Sequence, residues 1–164
     1  MIMQVGIFPA AEHKGVKLYI EHDMTVDDWI RDHHYLHSVP AGAIIRMCFK
    51  QNERVIGCMM WGRPTSRKID QKSILELTRM CFVDETERFV ESKCLAMARK
   101  YIRKHHPAVK GLIAYSSAGA GHDGVIYQAD NWYKLGGSKG GSWESRAGRT
   151  NRDLSQKSRW TRSP

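Results

Sequence analysis

The sequence predicts one α/β domain in which helices flank a central mixed sheet. Three features predict it: short β-rich runs, one long amphipathic helix, and a strand–helix–strand order in the second half of the chain. A length of 164 residues allows one domain with a real core but hardly two. We place this domain in residues 1–136 and a basic C-terminal tail, either flexible or in contact with nucleic acid, in residues 137–164.

The first half of the chain is expected to begin with a strand and a helix. Residues 16–20 have the pattern of a short strand. A helix over 26–37 should follow, with Thr25 as its N-cap and Asp28 reaching back in a short version of the capping box. This helix must end before Pro40.

Three further strands are predicted from β-rich runs. Residues 44–50 and 54–61 form an antiparallel hairpin around the turn 51–53. Residues 74–83 alternate as a strand in the middle of the sheet.

The clearest helix spans 89–105, where one apolar stripe faces away from lysines and arginines, and Pro107 stops it. Residues 111–115 are a short apolar strand, so we expect a parallel crossover between it and 74–83. A flexible loop, 116–124, should lead to a short helix over 125–131.

The charge of the chain points to a polyanionic partner. Lys and Arg number 26 against 17 Asp and Glu, a net charge of +9, which attracts nucleic acid through its phosphates; a merely soluble basic surface is the alternative. The tail adds Trp143 and Trp160 among its arginines, which favours single-stranded or distorted nucleic acid over an inert end. The residues expected to bind nucleic acid are His33, His34, Arg63, Arg67, Lys68, Arg146, Arg149 and Arg152.

The cysteines and the hydropathy indicate a cytoplasmic protein. The four cysteines sit singly in apolar stretches, without the spacing of a zinc site or a disulfide framework. No apolar run is long enough to span a bilayer, and no signal segment is evident at the N-terminus. We therefore expect a protein of the bacterial host cytoplasm with no membrane partner. The sequence does not determine whether the protein forms oligomers.

The order of elements resembles the GNAT acyltransferase fold, and four local stretches resemble the Mom proteins of Mu-like phages, a GNAT-related group. These stretches are 29–40, 57–64, 75–80 and 115–132, and the likeness covers about 28–136. It implies an enzyme that converts adenine in double-stranded DNA to its N6-acetamido (carbamoylmethyl) form and so protects phage DNA from host restriction. The alternatives are an ordinary GNAT N-acetyltransferase acting on an amine and a non-catalytic nucleic-acid-binding protein.

One departure from the GNAT pattern concerns the donor. GNAT enzymes hold a pyrophosphate on a glycine-rich loop that opens the long helix, because bare backbone amides must approach the phosphates. Here residues 84–92 contain four carboxylates and no glycine. Acidic side chains are favourable at the start of a helix, but they repel the pyrophosphate of coenzyme A. Our hypothesis is therefore that glycyl-tRNA is the donor, with acetyl-CoA as the alternative.

Glu76, Thr78 and Arg79 are charged or polar residues on the predicted central strand. A buried charge must be paired or must face a cleft. We predict that Glu76 accepts a proton from the adenine amine, that Arg79 holds a phosphate or carbonyl oxygen, and that Thr78 contacts the donor. A structural Glu76–Arg79 ion pair is the alternative, which their odd spacing disfavours because it puts them on opposite faces.

Tyr35 is the next catalytic candidate, as an aromatic ring that stacks on an extruded base. The histidines around it offer an alternative, because His33 and His37 have the helical spacing of a metal pair. No acidic third ligand is obvious nearby. We therefore predict no metal site, with the His33–His37 pair as the alternative.

The end of the strand 111–115 and the segment after it complete the predicted site. Ser116 and Ser117 follow a parallel strand, where α/β enzymes place their sites. We favour hydrogen bonding by these serines, Ser116 as a catalytic residue and Ser117 as a donor contact, over a covalent serine. Asp123 is a candidate acid or base, with turn formation as the alternative. Tyr127 and Asn131, one helical turn apart, are expected to face the donor.

Overall fold

The computed structural model describes residues 8–87, 89–117, 124–138 and 157–164. In these segments one eight-stranded mixed sheet is flanked by helices, as the sequence predicts. The strands are β1 (Ala11–His13), β2 (Val16–Glu21), β3 (Ala43–Gln51), β4 (Arg54–Gly62), β5 (Ile74–Phe82), β6 (Gly111–Ser117), β7 (Tyr133–Ser138) and β8 (Lys157–Arg162). The helices are α1 (Thr25–His33), α2 (Val90–His105) and α3 (Val125–Ala129). None of these helices is long and apolar enough to cross a membrane.

The sheet has the order β1-β2-β3-β4-β5-β6-β8-β7. The predicted hairpin is confirmed as β3 and β4, and its turn places Asn52 and Glu53 at positive φ, as the tightest hairpin turns require. The predicted parallel crossover is also confirmed, since β5 pairs in parallel with β6 and α2 lies between them in the chain.

The pairing of β5 with β6 is short. Only Ile74 to Glu76 have partners on β6, although β5 continues to Phe82 and β6 continues to Ser117. The two strands therefore diverge towards their carboxyl ends and leave a cleft in the middle of the sheet. This cleft is where the candidate site lies.

Each face of the sheet carries its own core. On the α2 face, Trp61, Leu95 and Ile102 belong to the larger cluster of buried side chains. On the α1 face, a smaller cluster contains Val26 and Ile30 of α1 with Cys48, Cys58 and Met60. All four cysteines are free thiols, and three of them are buried.

Helix α1 differs from its prediction at both ends. At the N-terminus of α1, the capping hydrogen bonds are made by the side chain of Asp23 and not by that of Thr25. The Asp23 Oδ1 accepts hydrogen bonds from the Thr25 N–H at 3.0 Å and from the Thr25 hydroxyl. The helix ends at His33, where His34 is already extended. The prediction that His33 and His37 lie one helical turn apart is therefore wrong.

The C-terminal segment contains the largest correction. Residues 157–162 are not a tail outside the domain but strand β8, which lies between β6 and β7 in the sheet. Trp160 is buried, and its indole N–H donates to Ser116 Oγ at 2.9 Å. It belongs to the core rather than to a nucleic-acid surface. A strand of six residues gives an alternating pattern too short to distinguish it, from sequence alone, from a basic tail without regular structure.

We expect Trp160→Ala to destabilise the protein by about 3–5 kcal/mol, because it leaves a large cavity in the core and removes the donor to Ser116. Urea unfolding followed by circular dichroism measures the change. Arg159→Ala, on the exposed neighbour in the same strand, is the matched control and should change stability by less than about 0.5 kcal/mol. Equal, negligible effects of both variants would contradict the placement of β8.

Candidate active site

The diverging ends of β5 and β6 form one wall of a cavity of about 470 Å³. This volume falls within the roughly 300–1,000 Å³ typical of small-molecule sites. The cavity is bordered by the loop after α1, by β5, β6 and α3, and by the first residue of β8. The predicted site residues that line it are His34, Tyr35, Glu76, Thr78, Arg79, Ser116, Ser117 and Tyr127.

A β-bulge brings Glu76 and Arg79 to the same side of the sheet. Leu77 pairs with Trp61 and Arg79 pairs with Met60, so Thr78 has no partner residue on β4. The extra residue shifts the alternation by one position, and the expectation that odd spacing separates Glu76 from Arg79 is wrong. Both side chains line the cavity.

Glu76 is a carboxylate held out of water. Glu76 is 5% exposed, and its Oε1 accepts hydrogen bonds from the Thr65 N–H at 3.2 Å and the Thr65 hydroxyl at 3.0 Å. Burial raises the pKa of Glu76, against the opposing effects of the Thr65 hydrogen bonds and the nearby Arg79 and Lys157. A buried carboxylate with a raised pKa, placed in a cavity, is a candidate general base.

Arg79 fastens the loop after α1 to the bulge. Its Nε–H donates to the Ser38 carbonyl oxygen at 3.0 Å, and its Nη1–H donates to the Thr78 carbonyl oxygen at 2.7 Å. Burial lowers the pKa of Arg79, yet an arginine stays charged because its ordinary value is so high. The guanidinium therefore brings a fixed positive charge to the cavity beside Tyr35.

Tyr35 is 45% exposed and stacks on the His34 ring at a centroid distance of 4.4 Å. His34 is buried, and its Nδ1 accepts a hydrogen bond from the Leu36 N–H at 3.2 Å. The stacked pair thus places the partly exposed tyrosine ring at the edge of the cavity.

Strand β8 extends the sheet beyond β6 and borders the cavity through its first residue. It pairs with β6 from Leu112 to Ser117, so that Ser116 lies opposite Ser158 and Ser117 lies opposite Lys157. Ser116 and Ser117 are buried, and Lys157 lines the cavity. Burial raises the pKa of Tyr115, another lining residue, and the nearby Glu76 carboxylate adds to the effect.

An ion-pair network holds α3 in place. The Arg99 guanidinium of α2 donates two hydrogen bonds to the Asp130 carboxylate, at 2.6 and 2.7 Å, and the Trp132 indole N–H donates to the same group at 2.8 Å. Arg162 of β8 bonds the Asp130 carbonyl oxygen. This network fixes Tyr127, which is buried against the rings of Trp132 and Trp160, and burial raises its pKa.

Several predicted site residues lie elsewhere. Asn131 follows the end of α3, adopts a left-handed conformation at φ 59° and is not among the described cavity-lining residues, so it does not lie on the helix with Tyr127. Its contact with the donor stays a prediction. His33 is exposed and stacks on Trp29 at a centroid distance of 4.0 Å. Asp123, Arg146, Arg149 and Arg152, together with Trp143, lie outside the described residues.

The predicted basic loop lies at the edge of the site. Arg63, Arg67 and Lys68 are exposed, and Thr65 of the same loop lines the cavity. Their contact with nucleic acid stays a prediction.

Sequence reasoning missed Thr65, Tyr115 and Lys157 as lining residues. Thr65 and Lys157 reach the cavity only through the loop after β4 and the pairing of β8, and no local pattern signals either. Tyr115 carried a usable signal, since it directly precedes the two predicted serines at the end of a parallel strand.

The cavity does not fit a coenzyme A pyrophosphate well. At the start of α2 the residue that lines it is Glu91, a carboxylate, and Phe89 takes the left-handed N-cap position with no side-chain cap. Among the lining residues that the structure describes, the cationic side chains are Arg79 and Lys157, against Glu76 and Glu91. A carboxylate at the start of α2 repels the pyrophosphate anion that a helix N-terminus would otherwise attract.

Metal ligands are likewise not assembled. Across the described segments, no group of three or more histidine, cysteine or acidic side chains is placed to hold a metal ion. His33 Nδ1 lies 2.8 Å from the Trp29 carbonyl oxygen, and His37 Nδ1 lies 2.8 Å from the Arg31 carbonyl oxygen, so each ring is engaged by the backbone of α1.

Comparison with solved structures defines the class of the fold. A ribosomal-protein-S5-alanine acetyltransferase from Vibrio fischeri superimposes with a TM-score of 0.66 at 9% identity, over 93% of this chain and 95% of that one. A GNAT family acetyltransferase from Elizabethkingia anophelis, solved with acetyl-CoA bound, gives 0.58 at 10% identity, over 93% and 100%. The chain thus has the GNAT acetyltransferase fold.

The chain belongs to the Mom protein family, whose model matches residues 6–163. The methylcarbamoylase Mom of Escherichia phage Mu is 28% identical over 115 residues, which make up 65% of this chain and 48% of that protein. The match therefore spans about half the length of this curated relative. Family and fold together support a transferase, as the sequence predicts.

Proposed function

We propose that this protein modifies adenine in double-stranded DNA, adding a carbamoylmethyl group at the exocyclic amine and so protecting the DNA from restriction. The observation that carries the proposal is the cavity of a Mom-family chain in which the buried Glu76 lies on the same wall as Arg79. The printed name of the Mu relative, a methylcarbamoylase, supports the transferred group.

The adenine must leave the duplex to reach this cavity, at a cost of roughly a few kcal/mol. Tyr35 offers an exposed ring on which the extruded base stacks. Arg63, Arg67 and Lys68, exposed on the loop that also carries Thr65, bind the flanking phosphates and offset part of that cost.

Glu76 acts as the general base for the amine. The N6 lone pair is delocalised into the ring, so the amine attacks only an activated carbonyl and loses its proton as the new bond forms. A carboxylate whose pKa is raised by burial takes that proton more readily than one in water. Arg79 and the bulge at Thr78 stabilise the charge on the carbonyl oxygen, while Ser116, Ser117 and Tyr127 contact the donor.

Glycyl-tRNA is favoured over acetyl-CoA as the donor, because a glycyl group contains all the atoms of the added group and an acetyl group lacks its nitrogen. Attack of N6 on the glycyl ester forms an amide and releases the tRNA hydroxyl. The free glycyl amine then attacks C6 through a five-membered ring, the C6–N6 bond breaks, and N6 leaves as the carboxamide nitrogen. The product is an isomer of the first amide and carries the carbamoylmethyl group. The acidic start of α2 supports this choice, because it disfavours the pyrophosphate of coenzyme A.

Mass spectrometry of nucleosides tests the reaction. We expect DNA from bacteria that express the chain to contain a deoxyadenosine heavier by one carbamoylmethyl group, and DNA from cells with an empty vector to lack it. Growth on ¹⁵N-glycine labels a ring nitrogen of every purine, so we expect the modified nucleoside to carry one more ¹⁵N than the deoxyadenosine of the same DNA. The extra label lies on the nitrogen bonded to C6, because that nitrogen comes from glycine in the proposed rearrangement. Unmodified DNA from well-expressed protein would contradict the reaction, and a modified nucleoside with no more label than the deoxyadenosine of the same DNA would contradict the glycyl donor alone.

A further inference from the structure

A second cavity, of about 250 Å³, lies between strand β1 and helix α2. The catalytic cavity meets α2 at Glu91, whereas this cavity begins at Lys93. Two residues correspond to about 200° of rotation around a helix. The second cavity therefore opens on the other side of α2, and none of its lining residues borders the catalytic cavity.

The floor of this groove is apolar and aromatic. Ala11, Ala96 and Met97 contribute its apolar surface, and the Tyr101 ring lies beside the His105 ring at a centroid distance of 4.5 Å. Tyr101 is half-buried, so that one part of the ring packs on the core and the rest faces the groove.

The rim of the groove is basic. Lys93, Lys100 and Lys104 line it from α2, and their spacing of seven and four residues keeps them on one side of the helix. They span about 16 Å along the helix axis, which is long enough to follow more than one backbone phosphate. Glu12 is the one carboxylate among the lining residues that the structure describes.

We propose that this groove binds an unpaired nucleic-acid strand, with one base against Tyr101 and the flanking phosphates on the three lysines. Aromatic side chains interleaved with cations are the pattern that binds single strands without reading sequence. An aromatic side chain stacks on a base only where the base is not already covered by its neighbours in a duplex, so the occupant is unpaired. The inference goes beyond the proposed function, because it concerns binding at a surface away from the reacting base.

Fluorescence anisotropy with a short labelled oligothymidylate tests the proposal on the full chain. We expect Tyr101→Leu to weaken binding about ten-fold through lost base stacking, and Tyr101→Phe, which keeps the ring, to bind as the wild type does. Lys100→Ala should lower the slope of log affinity against log salt by about 0.7. Arg54→Ala, which removes an exposed arginine paired with Glu85, should leave that slope unchanged.

The same assay separates this occupant from others. Oligouridylate should bind within a few-fold of oligothymidylate, because the groove contacts base and phosphate rather than the sugar. Competition by duplex DNA or by polyglutamate as strong as that by the single strand would overturn the proposal. Unchanged binding by Lys100→Ala would overturn it too, and this exposed substitution keeps the test valid even if Tyr101→Leu does not fold.

Discussion

Arg79→Ala is expected to lower the rate of adenine modification by a factor of about 10²–10³, the usual cost of removing one donor that stabilises a developing oxyanion. The substitution also frees the loop after α1, because the Arg79 Nε–H no longer donates to the Ser38 carbonyl oxygen. The measurement is the fraction of modified deoxyadenosine against time. Affinity for duplex DNA should fall only a few-fold, because the proposed phosphate contacts are made by Arg63, Arg67 and Lys68.

Two further variants separate the charge of Arg79 from its geometry. Arg79→Lys keeps the charge but cannot reach both the Ser38 and Thr78 carbonyl oxygens with one ammonium group, so we expect most of the loss to remain. Ser38→Ala removes only the hydroxyl, 3.4 Å from Nη2, and keeps the carbonyl acceptor, so its rate should stay close to that of the wild type. Equal loss of modification and of DNA binding in Arg79→Ala would instead favour a non-catalytic binding protein.

The fold followed from patterns that are local in the chain. Hydrophobic periodicity together with a turn or a proline predicts the hairpin β3–β4 and the unit β5–α2–β6, and the structure confirms both. Strand β8 does not, because its partner β6 lies about forty-five residues earlier. Pairing between such distant segments depends on which edge of the sheet is left open, and a single sequence does not show that.

The site was predictable by residue type but not by geometry. Glu76 and Arg79 stood out because charged side chains on a central strand need a partner or a cleft. Their common face depends on the bulge at Thr78, and a one-residue shift of register has no signature in composition. Lys157 lines the cavity because β8 pairs with β6, so it was not predicted for the same reason that β8 was not.

Glu76→Gln gives the sharpest distinction between a catalytic and a structural carboxylate. We expect the modification rate to fall by about 10²–10⁴, the usual contribution of a general base. Glutamine keeps an oxygen that can accept both Thr65 hydrogen bonds, so the wall of the cavity should remain intact. In the wild type the rate should rise with pH through the raised pKa of Glu76, because only the carboxylate accepts the proton, and the variant should lose this acidic limb.

Stability should change in the opposite direction from activity. A carboxyl group whose folded-state pKa is raised costs stability once it ionises, so its penalty appears as the pH rises from the unfolded-state pKa through the folded-state value. Glu76→Gln removes the penalty, and thermal unfolding near neutral pH should show a Tm equal to or above that of the wild type. If Glu76 and Arg79 formed only a structural ion pair, the variant would leave a buried guanidinium without its partner. The Tm would then fall together with the activity, and the assignment of Glu76 as the base would be wrong.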